Sequence, residues 1–262
     1  MGSRLDAQTG HCYALVLEKP RSGKVSPMTL VPPRAKALVF NPDTHLALRN
    51  PPAIGDAFSL TMWASWVPPE YQNPEYASSS TSAKNASLFN YDESEEGDGF
   101  RFWVTDATNV RVWRGGSSAR PSSPNEGSID LAKDGAWHHL AVVASAQSGK
   151  LGIRILLDGK RVFDGSVSNE GSPSRNPSPL VLGARYFGSS DDHFVGLFSD
   201  VALWKTALDD KRVAGLLTSA TPSGDPNLLL HWPLDEAPEG RSVMKQNLSF
   251  ADIEGDSFGF DF

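Results

Sequence analysis

Residues 194–217, FVGLFSDVALWKTALDDKRVAGLL, change hydrophobic period midway, and that change limits the folds open to this chain. From Val195 to Trp204 the residues alternate. Val195, Leu197, Ser199, Val201 and Leu203 fall on one face of a strand, and Gly196, Phe198, Asp200, Ala202 and Trp204 on the other. Both sets are largely apolar, the pattern of a strand buried between two layers. From Leu208 the spacing is helical. Leu208, Val213, Leu216 and Leu217 lie along one side, with the charged run from Asp209 to Arg212 on the other. Asp209 and Asp210 are expected in the first turn, where the helix dipole favours negative charge. Asp200 is the one charge inside the apolar strand, so its carboxylate requires either hydrogen-bond donors or a cation.

Short strands dominate the rest. Phe58–Val67 alternates strongly, with Phe58, Leu60, Met62, Ala64 and Trp66 on one face and Trp63 on the other. Ala86–Tyr91 is a further strand, and Phe100–Thr105 pairs with Asn109–Arg114 as a hairpin around Asp106. Trp137–Ala144, Leu151–Leu157 and Lys160–Phe163 form a group in which Asp158-Gly159 is the strongest two-residue hairpin signal of the chain. Leu180–Leu182 and Leu228–Leu234 complete the set, and Cys12–Leu17 has the makings of a short strand. Ten to fourteen short strands and one short helix predict an all-β antiparallel sandwich. No internal repeat or linker divides the chain. Residues 1–35 read as an N-terminal extension, 36–240 as the domain, and 241–262 as a tail whose Phe250, Phe258, Phe260 and Phe262 pack on the body.

Net charge and cysteine usage narrow the partners. A formal charge of −7 disfavours a nucleic-acid backbone as the main partner. The single cysteine, Cys12, allows no intrachain disulfide. No stretch approaches the roughly 18 apolar residues of a membrane span, and Cys12–Leu17 is too short for a signal-peptide core. The chain as it stands is therefore expected to be soluble and cytoplasmic. If Met1-Gly2-Ser3 is a cloning remnant, a removed leader would make the protein secreted.

Several residues invite chemistry. His138 and His139 are adjacent on a strand and point to opposite faces, so they are not expected to share a metal. The run from Asp92 to Asp98 is a turn with Gly97 interrupting its acids, which does not give the paired carboxylates of a glycosidase. The long Pro- and Ser-rich insertion at 68–84 carries Tyr71 and Tyr76, and loops of that length in compact domains are functional or disordered. Tyr71, Tyr76, Trp103, Trp113 and Tyr186 are candidate stacking platforms for a sugar or another flat ligand, with Arg111, Asp191 and Asp192 as polar companions. In FRFWV and VRVWR the parities of Arg101, Arg111, Trp103 and Trp113 are read as an aromatic face and a basic face. No Ser–His–Asp, Cys–His or phosphate-loop pattern is present.

Four pieces in order carry a family resemblance: ALVFNPDTHLAL followed by FSLTMWASWV; DGAWHHLAVV; LLDGKRV followed by LVLGAR; and residues 194–217 followed by HWPLDE. Together they resemble the laminin G-like and pentraxin-like jelly rolls of the concanavalin A-like superfamily. The resemblance implies two antiparallel sheets, one concave, and a lectin-like module that binds a carbohydrate or protein ligand. It also implies a structural calcium ion near the sheet edge, for which Asn41, Asp43 and Asp200 stand in the matching places. A pentraxin's calcium loop would fall in Gly183–His193, where the acidic run is reduced to Asp191 and Asp192. The leading expectation is thus a non-enzymatic recognition module. The alternatives are a motif-poor enzyme (a lyase, cyclase or glycan-active protein) using Asp191, Asp192, His193 or Glu95, and a structural subunit docking through its apolar tail.

Overall fold

The computed structural model describes residues 30–41, 44–66, 86–91, 100–105, 109–114, 117–119, 136–168, 179–185, 193–239 and 243–253. Fifteen strands and one helix lie among them. The strands are β1 (Lys36–Phe40), β2 (His45–Leu48), β3 (Phe58–Trp66), β4 (Ala86–Tyr91), β5 (Phe100–Thr105), β6 (Asn109–Arg114), β7 (Ser117–Ala119), β8 (His138–Gln147), β9 (Lys150–Leu157) and β10 (Lys160–Ser168). After these come β11 (Leu180–Leu182), β12 (Gly196–Trp204), α1 (Asp210–Gly215), β13 (Leu228–Trp232), β14 (Val243–Gln246) and β15 (Ser249–Asp252). All pair antiparallel in two sheets. The first runs β10-β9-β8-β3-β12-β1-β15, with β13 also on β12; the second runs β14-β2-β11-β4-β5-β6-β7.

The core between the sheets follows from period-2 alternation. Phe58, Leu60, Met62, Ala64 and Trp66 of β3 face Phe89 and Tyr91 of β4 and Phe100, Phe102 and Val104 of β5 in one buried cluster. Phe58 meets Phe100 edge-on, with ring centroids 4.8 Å apart. The Asp158-Gly159 hairpin forms as the sequence predicts. Both residues take positive φ, +51° and +73°, the geometry of a two-residue turn matched to strand twist.

β12 departs from the simple alternation. Its register against β3 shifts between Ser199 and Ala202, and Asp200 has φ +49°. The bulge reverses the facing of the residues beyond it. Phe198, Val201 and Leu203 therefore point into the core between the sheets. Leu197 packs on the outer side, as do Ala202 and Trp204. The single-face grouping of Leu197, Ser199, Val201 and Leu203 is corrected accordingly: one extra residue flips the parity.

The outer face of the first sheet is covered by α1. Val213, Leu208 and Leu216 pack on Ala141, Val143, Leu156, Ala202 and Trp204. Small polar residues on the outer side of β3 pin the approach to the helix. Ser59 Oγ donates to the Thr206 carbonyl at 2.9 Å and accepts from the Leu208 N–H at 2.9 Å. Asp209 is the N-cap rather than a first-turn residue: its side chain accepts from the Arg212 N–H at 2.7 Å. Arg154 and Arg161 both donate to Asp210, tying the first turn to β9 and β10.

The tail crosses between the sheets. β14 pairs with β2 in the second sheet and β15 with β1 in the first, so residues 243–252 belong to the sandwich itself. Thr44 Oγ1 donates to the Asn247 carbonyl at 3.2 Å in the crossing. Phe258, Phe260, Phe262 and the Cys12–Leu17 segment lie outside the described residues.

Candidate functional site

The two outer faces differ. On the first sheet, α1 and its neighbours bury Trp204 and Ala202, and a second group buries Trp63, Trp137, Ala37 and Leu197. On the second sheet, the β5–β6 ladder places Trp103 opposite Arg111 and Arg101 opposite Trp113. Opposite residues in a ladder share a face, and so do residues two apart on one strand. All four positions therefore lie on one side, away from Phe100, Phe102, Val104 and Val112, which are buried in the core. The expected division into an aromatic face and a basic face is corrected: indole and guanidinium positions alternate on a single face.

Trp103 and Arg101 are half-buried. The Arg101 guanidinium lies 4.9 Å from the centroid of the Trp103 ring, within cation–π range. Its Nε donates to Ser87 Oγ at 3.2 Å. Ser87 stands opposite Trp103, and Asn90 opposite Arg101, so β4 continues the same face. Farther along, Val181 pairs with Asn90, and Ala47, Val181 and Ala184 pack with Met244. Asn90 donates through Nδ2 to the Arg185 carbonyl, anchoring the chain that leaves β11. Tyr71, Tyr76, Tyr186, Asp191 and Asp192 lie outside the described residues, as does Glu95. His193 is described: its ring meets that of His45 edge-on at 5.5 Å.

A sequence-profile comparison places residues 41–214 in a laminin G-like family of the concanavalin A-like lectin/glucanases superfamily. The chain belongs to that family. Among curated proteins this laminin G-like chain is 32% identical over 93 residues to human Pentraxin-4, a match spanning 34% of this chain and 19% of that protein. It is 25% identical over 137 residues to the rat sushi, von Willebrand factor type A, EGF and pentraxin domain-containing protein 1, spanning half of this chain and 4% of the relative. The laminin G-like chain thus accounts for only a small part of the length of either relative. Among solved structures, a Bacteroides ovatus protein assigned provisionally to carbohydrate binding superposes with TM-score 0.61 at 16% identity, covering 90% of this chain and 63% of that one. The heptameric SAP-like pentraxin of Limulus polyphemus gives 0.53 at 18% identity, covering 81% and 95%. At those identities the likeness is one of fold.

The calcium that the laminin G-like fold implies has to be tested on the donors present. Asp200 does not fit it. One carboxylate oxygen, Oδ1, accepts from Arg34 Nε at 3.0 Å, Arg34 Nη2 at 2.9 Å and His231 Nε2 at 2.8 Å. The other, Oδ2, accepts from the Thr221 N–H at 2.9 Å and Thr221 Oγ1 at 3.0 Å. Burial pushes this carboxyl up. Hydrogen bonds from His231 and Thr221 and the charge of Arg34 overcome that push and hold its pKa down to about 2. Both oxygens of this buried acid are thus satisfied by hydrogen-bond donors.

Asn41 is also remote from Asp200. Leu38 pairs with Phe198 and Phe40 with Gly196, so β1 runs away from the Asp200 bulge toward Asn41. Asn41 lies three residues beyond the Leu38–Phe198 pair, about 10 Å at strand spacing. Asp43 lies outside the described residues, and among the described residues no three acidic, histidine or cysteine side chains form a metal-holding group.

Asp200's partners were not legible in the sequence. Arg34 precedes β1, Thr221 follows α1 and His231 lies in β13. The only local signal was Asp200 itself, a charge in an apolar strand.

His138 and His139 face opposite ways, as adjacency predicts. His139 pairs with Trp63, and His138 with Ala64. Asp158 joins them, accepting from the His139 N–H at 2.9 Å and meeting His138 Nδ1 at 2.9 Å.

Proposed function

We propose that this domain is a non-enzymatic recognition module that binds a carbohydrate on the outer face of its second sheet, centred on β5 and β6. The observation that carries the reading is Trp103. It is a half-exposed indole held by a stacked guanidinium on a sheet face, while the outer face of the first sheet is covered by α1 and the chain around it. A flat aromatic surface with polar groups beside it suits a sugar ring, which is apolar on its C–H faces and hydroxylated at its edge. The family and the fold supply the analogy, since members of this superfamily include lectins.

Asp191, Asp192, Tyr71, Tyr76 and Tyr186, which lie outside the described residues, are proposed as further ligand contacts. Any calcium ion would draw on groups other than Asp200. The test is a glycan array probed with the wild-type chain and with Trp103→Ala. Binding to a defined set of glycans that is lost in Trp103→Ala supports the proposal. Glycan binding that Trp103→Ala leaves intact places the site elsewhere and refutes it.

A further inference from the structure

The residue opposite Trp103 is set by an irregularity in β4. Ser87 pairs with Trp103 and Asn90 with Arg101, so three steps along β4 match two along β5, with the register shifting between Ser87 and Phe89. Leu88 and Phe89, adjacent in sequence, are both buried in the core between the sheets. This is a bulge, and a bulge re-aims the side chains beyond it. Under plain alternation counted back from Asn90, Leu88 would stand opposite Trp103 and Ser87 would point into the core. The extra residue puts a hydroxyl there instead.

The Ser87 side chain is fully buried, and its Oγ accepts from Arg101 Nε at 3.2 Å. That bond fixes where the guanidinium sits. Its central carbon lies over the Trp103 ring, 4.9 Å from the centroid, within cation–π range. One face of the indole is thereby occupied by a cation that a second contact holds in place. Being buried, Ser87 has no surface of its own to offer a ligand. Its influence on the outer face passes through Arg101.

We infer that Ser87 is a positioning residue for the Trp103 platform: its hydroxyl holds Arg101 against one face of the indole and leaves the opposite face to stack on a sugar. The inference rests on the carbohydrate-binding reading given above. Ser87 acts through Arg101, and Arg101 acts through the ring it covers. Stacking is one-sided, because the guanidinium already fills the second face. Both side chains are ordered before the sugar arrives, which spares their ordering cost at binding. Immobilising one rotamer-rich side chain costs about two- to ten-fold in affinity, and that range sets the expected effects.

The experiment combines affinity with a spectroscopic reading of the ring. The chain is labelled with 5-fluorotryptophan, and the Trp103 resonance among its seven tryptophans is assigned by its loss in Trp103→Phe. Without glycan, wild type should give one narrow fluorine line for Trp103. Ser87→Ala and Arg101→Gln should each broaden or split it. Affinity is measured for the glycans that wild type retains on the array. Ser87→Ala should weaken them about three-fold and Arg101→Gln about five- to ten-fold. The double variant should be no weaker than Arg101→Gln alone, since the serine has nothing left to position. Melting curves establish that each variant is folded.

If Arg101→Gln weakens binding while Ser87→Ala changes neither the affinity nor the fluorine line, the guanidinium meets the ligand directly and the inference is overturned. Losses that multiply in the double variant overturn it too. If neither variant alters affinity but Trp103→Ala abolishes binding, the inference fails and the carbohydrate site stands. Retention of no glycan, or retention that does not need Trp103, refutes the carbohydrate reading and the inference with it.

Discussion

Replacing Asp200 by asparagine should cost this domain about 3 kcal/mol at neutral pH, most of it electrostatic. Asp200 sits where β12 bulges, β1 begins and β13 ends, and its own N–H donates to the Pro233 carbonyl at 2.9 Å. Its carboxylate takes donors from Arg34, His231 and Thr221, so three chain segments close on one group. Asparagine keeps one acceptor oxygen and turns an amide donor toward groups that are themselves donors.

The pH-dependent share comes from the held-down pKa. A carboxyl near 3.8 when unfolded and about 2 when folded contributes about 2 kcal/mol. Because the folded value is the lower one, that contribution is complete above about pH 5 and is lost as pH falls through the folded value near 2. Urea unfolding followed by tryptophan fluorescence at pH 7, 5, 4 and 3 measures it. The gap between wild type and Asp200→Asn should be constant from pH 7 to 5 and narrow below pH 4. A variant within about 0.5 kcal/mol of wild type at pH 7, or a gap that does not change with pH, would refute the argument. The same variant tests the cation: wild type and Asp200→Asn should respond alike to calcium and to a chelator. A calcium-dependent midpoint that disappears in Asp200→Asn would return Asp200 to the ligand set.

Two further perturbations have defined outcomes. Burial pushes the His139 imidazole down to about 4 against the attraction of Asp158 and Asp200, so the folded state holds it neutral. Stability should be complete above pH 6.5 and fall by about 3 kcal/mol toward pH 4, where the unfolded chain takes up the proton first; His139→Leu should flatten that slope in urea titrations. Gly183 has φ +79°, and a Cβ there would stand 2.2 Å from Phe40 Cδ1. Gly183→Ala should therefore lower stability by about 2 kcal/mol or more, and an unchanged melting temperature would show that Phe40 yields freely.

Much of the fold was written in local pattern. Alternation located β3 nearly to the residue, and short apolar runs bounded by polar turns located β4, β5, β6 and β11. Asp158-Gly159 fixed the β9–β10 turn, since both central residues need positive φ. β10 extends to Ser168, beyond the Phe163 that pattern alone supported. Gly165 and Ser166 carry no apolar signal, and only pairing with Ile153 and Gly152 holds them in the strand.

Beyond the reach of sequence lay everything set by contacts far apart in the chain. It marked Asp200 as a charge needing a partner, because an isolated carboxylate in an apolar strand is untenable. It could not choose between donors and a cation, since Arg34 is 166 residues away and Thr221 and His231 arrive from separate elements. It gave the arginines and tryptophans of β5 and β6 their odd positions. The ladder register then put all four on one side, and packing of Leu208, Val213 and Leu216 put α1 over the first sheet. Local periodicity thus marked most of the central strands and the side chains they offer, but not β14 and β15, which only pairing with β2 and β1 holds in the sheets. Tertiary pairing decided that the chain around α1 packs over the first sheet, that the four β5–β6 positions share one face, and how the buried charge is satisfied, because each depends on surfaces that only the folded chain brings together.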